Sequence, residues 1–208
     1  KADIAKGGDP LAVKRMVNSA PTVSELCGKY MSEHARPKKK PKSVEEDERN
    51  IKLHLAPAIG KMKVRDVNRS DIAKLHHSLS GRPHLANRVL SLVSTMFNLA
   101  ESWELRDDGS NPCRHVKAFK EEKREVFLTH EEIVVLIDVL DQSEREGSQR
   151  ASVIAALRLL LHTGCRLNEI LTLEWSFYDE GRQCLFLPDT KTGQRTVRLS
   201  SQAVAVLK

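Results

Sequence analysis

Residues 84–103 carry an apolar stripe in which Leu85, Val89, Leu92, Met96, Leu99 and Trp103 recur at spacings of three and four. Val93, Phe97 and Ala100 widen it to a full face. Only a helix of 3.6 residues per turn gathers such positions on one side; an alternating strand would scatter them over both. A helix this long with so broad an apolar face needs other elements to cover it. The stripe therefore reads as core.

Covering helices are legible upstream. Thr22-Val-Ser-Glu25 forms a capping box, where a hydroxyl and a carboxylate each satisfy a backbone N–H left free at a helix start. Val23, Leu26, Cys27, Tyr30 and Met31 follow at helical spacing. That helix is expected to end before "RPKKKPK" (36–42), five basic residues separated by two prolines. Ser43-Val-Glu-Glu46 reads as a second box, opening a helix to about Leu55, ahead of Pro57. A turn at Gly60 and an N-cap at Ser70 lead to a short helix carrying Ile72, Leu75 and Leu79. These segments predict a compact domain of four helices over residues 20–112. Ahead of it, "KADIAKGGDPLAVK" reads as a helix end stopped by Gly7-Gly8, so residues 1–19 are expected to be the tail of a preceding element or a linker.

Composition changes over "DDGSNPCRHVKAFKEEKREV" (107–126), which is charged and punctuated by Gly109 and Pro112. Residues 113–125 read as a linker between domains. Thr129-His-Glu-Glu132 is a third capping box, and its helix carries Ile133, Leu136, Ile137 and Leu140. "ASVIAALRLLLHTG" is more completely apolar and is expected near the centre of the second domain. After Trp175 the period shortens. "QCLFL" (183–187) and "RTVRL" (195–199) read as strands and "PDTKTGQ" (188–194) as the turn between them, a small antiparallel hairpin. "SSQAVAVLK" begins a further helix.

The formal charge is +6, the pI is near 9.2 and aromatics make up only 4%. Such a balance suits duplex nucleic acid, where phosphates supply most of the attraction, and suits poorly a single-strand binder that stacks bases on aromatic rings. Arg36, Lys38, Lys39, Lys40, Lys42 and Arg88 are the candidate phosphate contacts. Cys27, Cys113, Cys165 and Cys184 lie far apart without a CxxC pair, and the histidines show no ligand spacing. Neither a disulfide framework nor a metal site nor a cofactor is expected. No apolar run is long enough to cross a bilayer and no signal peptide is evident, so a cytoplasmic protein without membrane contact is expected.

One short stretch holds chemistry. In "HTGCRLNEI" (162–170) a glycine stops one helix, and Arg166 and Glu169 follow one helical step apart on the next. Two readings stand at this point: a surface ion pair, or an anion site in which a carboxylate fixes a guanidinium fork at a helix start. Lys191, at the tip of the expected hairpin, is either merely exposed or placed to give a proton to a departing oxygen.

"LLLHTGCRLNEILTLEW" followed by "CLFLPDTKTGQRTVRLS" resembles the first half of the catalytic domain of tyrosine recombinases, the phage-integrase family. "VFLTHEEI" (126–133) is similar to the opening of that domain, and "HLAPAIGKMKVRDVNRSDI" and "NLAESWEL" resemble its core-binding domain. "ADIAKGGDP" resembles the tail of an arm-site DNA-binding domain. The likeness implies a mainly α chain: a four-helix SAM-like core-binding domain (20–112), then the N-terminal part of a mixed α/β catalytic domain (126–208). It implies that Arg166 binds the scissile phosphate, that Glu169 supports it, and that Lys191 is the general acid for the leaving 5′-oxygen. It implies double-stranded DNA at attachment sites as substrate, a homotetramer on two duplexes, no metal or other cofactor, and a tyrosine that forms a 3′-phosphotyrosine. Here the sequence departs from the family. No H-x-x-R motif and no tyrosine at the nucleophile's place occur among the 208 residues; Tyr30 lies in the first domain and Tyr178 precedes the hairpin. The chain is therefore expected to be a prophage-type integrase fragment with half a catalytic site, unable to cleave DNA and with apolar surface exposed on its second domain. The alternative is a non-catalytic DNA-binding regulator derived from a recombinase.

Overall fold

The structure is a computed structural model that describes residues 20–122, 125–190 and 193–208, apart from the side chains of Asp189 and Thr190. The expectations for residues 1–19 and for Lys191 fall outside the described residues. The chain divides into two units, 1–124 and 125–208. Among the described residues, no helix is long and apolar enough to cross a membrane.

In the first unit, α1 (Val23–Tyr30) starts on the Thr22–Glu25 capping box, with Thr22 N–H donating to Glu25 at 2.6 Å and Glu25 N–H to Thr22 at 3.2 Å. It does not stop before residue 36. A π-helical stretch, Met31–Ala35, carries it into α2 (Arg36–Lys38). The same device recurs after α3 (Pro41–Asn50), where a π stretch at Ile51–Leu55 leads into α4 (Ala56–Ile59). In both cases the residue before a proline bonds five back: Arg36 N–H to Met31 and Ala56 N–H to Ile51. Pro37 and Pro57 have no N–H to give, and their rings crowd the carbonyl of the preceding turn in a regular α-helix. The wider π turn relieves that crowding, so each helix runs through its proline. This corrects both expected helix ends.

Two helix starts also differ from expectation. Pro41 opens α3 at the first helical position, where its fixed φ suits a helix, and Ser43 lies inside. Asn68, not Ser70, caps α5 (Arg69–Ser78): its Oδ1 accepts from Ser70 N–H at 2.8 Å and Asp71 N–H at 3.3 Å, and Asp71 accepts from Asn68 N–H at 3.0 Å. The amide reaches the same free N–H groups from an earlier position. The long helix α6 (Pro83–Ser102) buries Val89, Leu92, Val93, Met96, Phe97 and Ala100 against Val23, Leu26, Tyr30, Leu55 and Ile72. Each large side chain fully buried in this way contributes about 1.5–3 kcal/mol.

The stretch read as linker begins as part of this unit. Cys113 joins the core. Asn87 on α6 donates to Phe119 O at 2.9 Å and accepts from Phe119 N–H at 2.9 Å, and the Phe119 ring stacks on His76 at 4.2 Å. Residues 113–122 form a strap on the unit's surface.

In the second unit, α7 (His130–Glu146) starts on the Thr129–Glu132 box and ends at Gly147 in the left-handed region, φ +61°. Its one well-buried apolar residue is Leu140; Val135 and Val139 are exposed. α8 (Ala151–Thr163) packs against α7, α9 (Leu167–Leu171) and α10 (Ser201–Val206). Arg158 ties it to α7 through Asp141 at 2.7 Å and Glu144 at 2.8 Å. A three-stranded antiparallel sheet, β1 (Tyr178–Asp179), β2 (Cys184–Thr190) and β3 (Gly193–Arg198), replaces the expected two strands. β1 is too short to show a period. β2 continues through Pro188, which read as turn; the register shifts between Leu187 and Thr190, and such an irregularity accommodates a proline. Leu159, Ile170, Leu185, Leu187, Val197, Leu199 and Ala203 form the core.

Candidate phosphate-binding site

The site is assembled where α8 gives way to α9. Gly164, at φ +61°, adopts the left-handed conformation that ends α8, which only glycine takes without steric cost. Thr163 Oγ1 donates to Leu159 O at 2.6 Å and accepts from Cys165 N–H at 3.2 Å, fixing the exit. Arg166 is the N-cap of α9, in extended backbone, and Glu169 is three residues on. Glu169 accepts from the Arg166 N–H at 2.9 Å and from its guanidinium, Nη1, at 2.8 Å. The first contact is the carboxylate half of a capping box; the second uses the same carboxylate to aim the arginine.

Burial distinguishes this pair from an ordinary surface contact. The Glu169 side chain is 7% exposed, whereas that of Arg166 is 46% exposed. The carboxylate is locked inside while the guanidinium presents its other N–H groups outward. Those groups have no hydrogen-bond partner among the described residues. The backbone N–H of Arg166, against the opposing effect of burial, holds the Glu169 carboxyl below its ordinary range, helped by the guanidinium and by the charges of Arg166 and Arg195.

Arg195 is the residue that the sequence reading missed. Its Nη1 lies 3.6 Å from Glu169 Oε2, so two guanidiniums share one buried carboxylate. The alternation of β3 contained the signal. Arg195, Val197 and Leu199 share a face, and the latter two are buried in the core. A cation on a core-facing strand position requires a counter-charge, and Glu169 supplies it. Lys191 lies outside the described residues.

The cations proposed from "RPKKKPK" and α6 are distributed differently. Lys39 Nζ is 2.6 Å from Asp47, Arg36 is 3.9 Å from Glu48, and Arg88 pairs with Glu46. Lys38 and Lys42 are exposed, and Lys40 is the N-cap of α3. The acidic residues of α3 thus meet three of the six. Among the described residues, no three His, Cys, Asp or Glu side chains gather as a metal site would need.

Residues 22–80 match the model of the phage integrase N-terminal SAM-like domain, and residues 126–208 match that of the phage integrase family. The chain belongs to the phage integrase family. An integrase/recombinase of Haemophilus influenzae is 27% identical over 150 residues, which are 70% of this integrase-family chain and 49% of that protein. The chain therefore spans about half of that relative's length. Among solved structures, a lambda integrase tetramer bound to a Holliday junction superposes with a TM-score of 0.74 at 20% identity, covering 94% of this chain and 57% of that one. The Tn1549 transposon integrase with circular intermediate DNA gives a TM-score of 0.70 at 16% identity, covering 89% and 63%. At these identities the structural likeness establishes the integrase fold.

Proposed function

We propose that this chain binds duplex DNA and supplies the front of a phosphoryl-transfer site for site-specific recombination, cleavage and rejoining through a 3′-phosphotyrosine being the whole protein's reaction. The observation that carries this reading is the half-exposed Arg166 guanidinium held at the start of α9 by the buried Glu169. A planar fork fixed before substrate arrives loses little orientational freedom when it takes two phosphate oxygens, and lysine does not reproduce that geometry. Its charge is in place as negative charge grows on the phosphorane oxygens, which is how fixed dipoles and cations lower such a barrier. Lys191 would protonate the leaving 5′-oxygen. The solved relatives support the choice of substrate, since one is a tetramer on a Holliday junction and another is bound to a circular intermediate DNA. The assembly proposed for the whole protein is likewise a homotetramer on two duplexes, in a cytoplasmic setting.

For the 208 residues alone we propose binding without cleavage. Tyr30 is fully buried and donates its hydroxyl to Asp47 at 2.7 Å, and the Tyr178 hydroxyl is buried. Neither is available to attack a phosphate. A duplex carrying a nick that traps the covalent intermediate tests this: the expected result is a shifted protein–DNA complex that denaturant dissolves. A denaturant-resistant adduct would overturn the assignment. Arg166→Lys is expected to weaken duplex binding, and unchanged affinity would remove Arg166 from the phosphate.

A further inference from the structure

We infer that the first unit carries a second phosphate-contact surface, a groove between α5 and the strap at residues 115–119, that takes the backbone of duplex DNA. The inference rests on the proposed DNA-binding role and locates where this unit meets the polyanion. The groove has a volume of about 670 Å³. Arg69, Lys74 and His77 line it from α5, and His115 and Lys117 from the strap. All five are exposed. Among the described residues, no aspartate or glutamate lines the groove, and none of the five is in an ion pair.

That arrangement is the reverse of the cations chosen from sequence. Arg36, Lys39 and Arg88 spend their charge on Glu48, Asp47 and Glu46, so phosphate would have to displace a carboxylate. In the groove no such competitor stands, and every added phosphate contact releases bound counterions. The two walls are also held at a set separation. Asn87 clasps Phe119 through both backbone groups and lies 3.0 Å from His76 of α5. The strap therefore cannot move away from the helix without breaking this clasp.

The chemistry of the groove selects a duplex backbone over stacked bases. Phe119, the one aromatic carbocycle in the lining, already has a face on His76. It offers no stacking platform of the kind that single strands use. Exposed lysines and an arginine that follow a groove meet phosphates without reading base edges, so the surface adds affinity and register but no sequence preference.

The test is a salt titration of duplex binding by the full 208-residue chain on two unrelated sequences. Lys74→Gln/Lys117→Gln is expected to weaken binding equally on both sequences and to lower the slope of log affinity against log salt by about 1 per lysine. Ala73→Glu, which puts a carboxylate into the groove, is expected to weaken binding further. Lys52→Gln/Lys61→Gln removes the same charge elsewhere on the unit and is expected to leave the slope nearly unchanged. Thermal melts confirm that each variant is folded. If the groove variants keep the wild-type slope while the wild type binds, the groove assignment is wrong and the DNA-binding reading stands. If the wild type fails to bind duplex at low salt, both are overturned.

Discussion

Arg195 and Glu169 meet at 3.6 Å across the junction of β3 and α9, on the carboxylate oxygen opposite the one that takes the Arg166 guanidinium at 2.8 Å. One buried negative charge thus joins the sheet to the turn that presents Arg166. Glu169→Gln keeps the shape and removes the charge. It is expected to lower the melting temperature of the second unit by about 4–8 °C, the shift that roughly 1 kcal/mol produces in a unit of this size. The sign of the pH dependence follows from the lowered carboxyl. A depressed folded pKa contributes stability above the unfolded value, ordinarily 4.5, and loses it as pH falls through the folded value. The gap between wild type and Glu169→Gln is therefore full above about pH 4.5 and closes in more acidic solution, as melts across pH would show.

Asp47 holds two partners at once, the Tyr30 hydroxyl at 2.7 Å and Lys39 Nζ at 2.6 Å. Burial alone would lower the Lys39 ammonium, but its hydrogen bonds to Asp47 and Tyr30 outweigh this and raise it. Asp47→Ala leaves a buried hydroxyl without its acceptor and is expected to cost about 1–3 kcal/mol in denaturant unfolding. Tyr30→Phe removes the stranded group, so the double variant should lose less than the sum of the two singles. Because the folded Lys39 value is raised, its share of the stability is present below 10.5 and lost as pH climbs through that raised value. The Asp47→Ala deficit should shrink accordingly in strongly alkaline solution.

Much of this architecture was legible because local rules and tertiary packing agree. The α6 stripe and the Thr22 and Thr129 boxes are satisfied within a few residues, and nothing distant competes with them. Prolines misled where the chain adjusts locally. At Pro37 and Pro57 a π turn keeps a helix going, and at Pro188 a shifted register keeps a strand going. Neither adjustment leaves a mark on hydrophobic periodicity. The Arg166–Glu169 pair was visible as spacing, but its burial asymmetry depends on β3 closing over α9 and could not be read from one element. Arg195 was hidden for a related reason: its partner lies 26 positions earlier in the chain, and only the face alternation of β3 hinted at one.

The cysteines allow a chemical check on both cores. All four are free and buried, and burial pushes the Cys27 and Cys113 thiols up to about 12. The thiolate is the reactive form, so these two are expected to resist iodoacetamide in native protein at mildly alkaline pH and to react promptly in denaturant. Mass spectrometry of the alkylated protein would read the difference. Rapid native labelling at Cys113 would mean that the start of the strap leaves the core.

Two glycines of the first unit should respond to alanine with opposite signs. A Cβ at Gly60 would lie 2.4 Å from the Ala56 carbonyl oxygen and 2.6 Å from Ser24 Oγ. The contact is tight because the free N–H groups at the start of α1 are spent here: Ser24 N–H donates to Gly60 O at 3.0 Å and Val23 N–H to Met62 O at 2.9 Å. Backbone must move to admit a methyl, and both hydrogen bonds depend on that backbone. Gly60→Ala is expected to destabilise by about 1–3 kcal/mol, as overpacking does. Gly28 sits inside α1 with nothing within 4 Å of an added Cβ and gains only the reduced freedom of the unfolded chain. Gly28→Ala is expected to stabilise by about 0.5–1 kcal/mol. Urea unfolding of both variants measures the contrast, and a Gly60→Ala protein as stable as wild type would show that α1 and the 60–62 turn are not clasped as described.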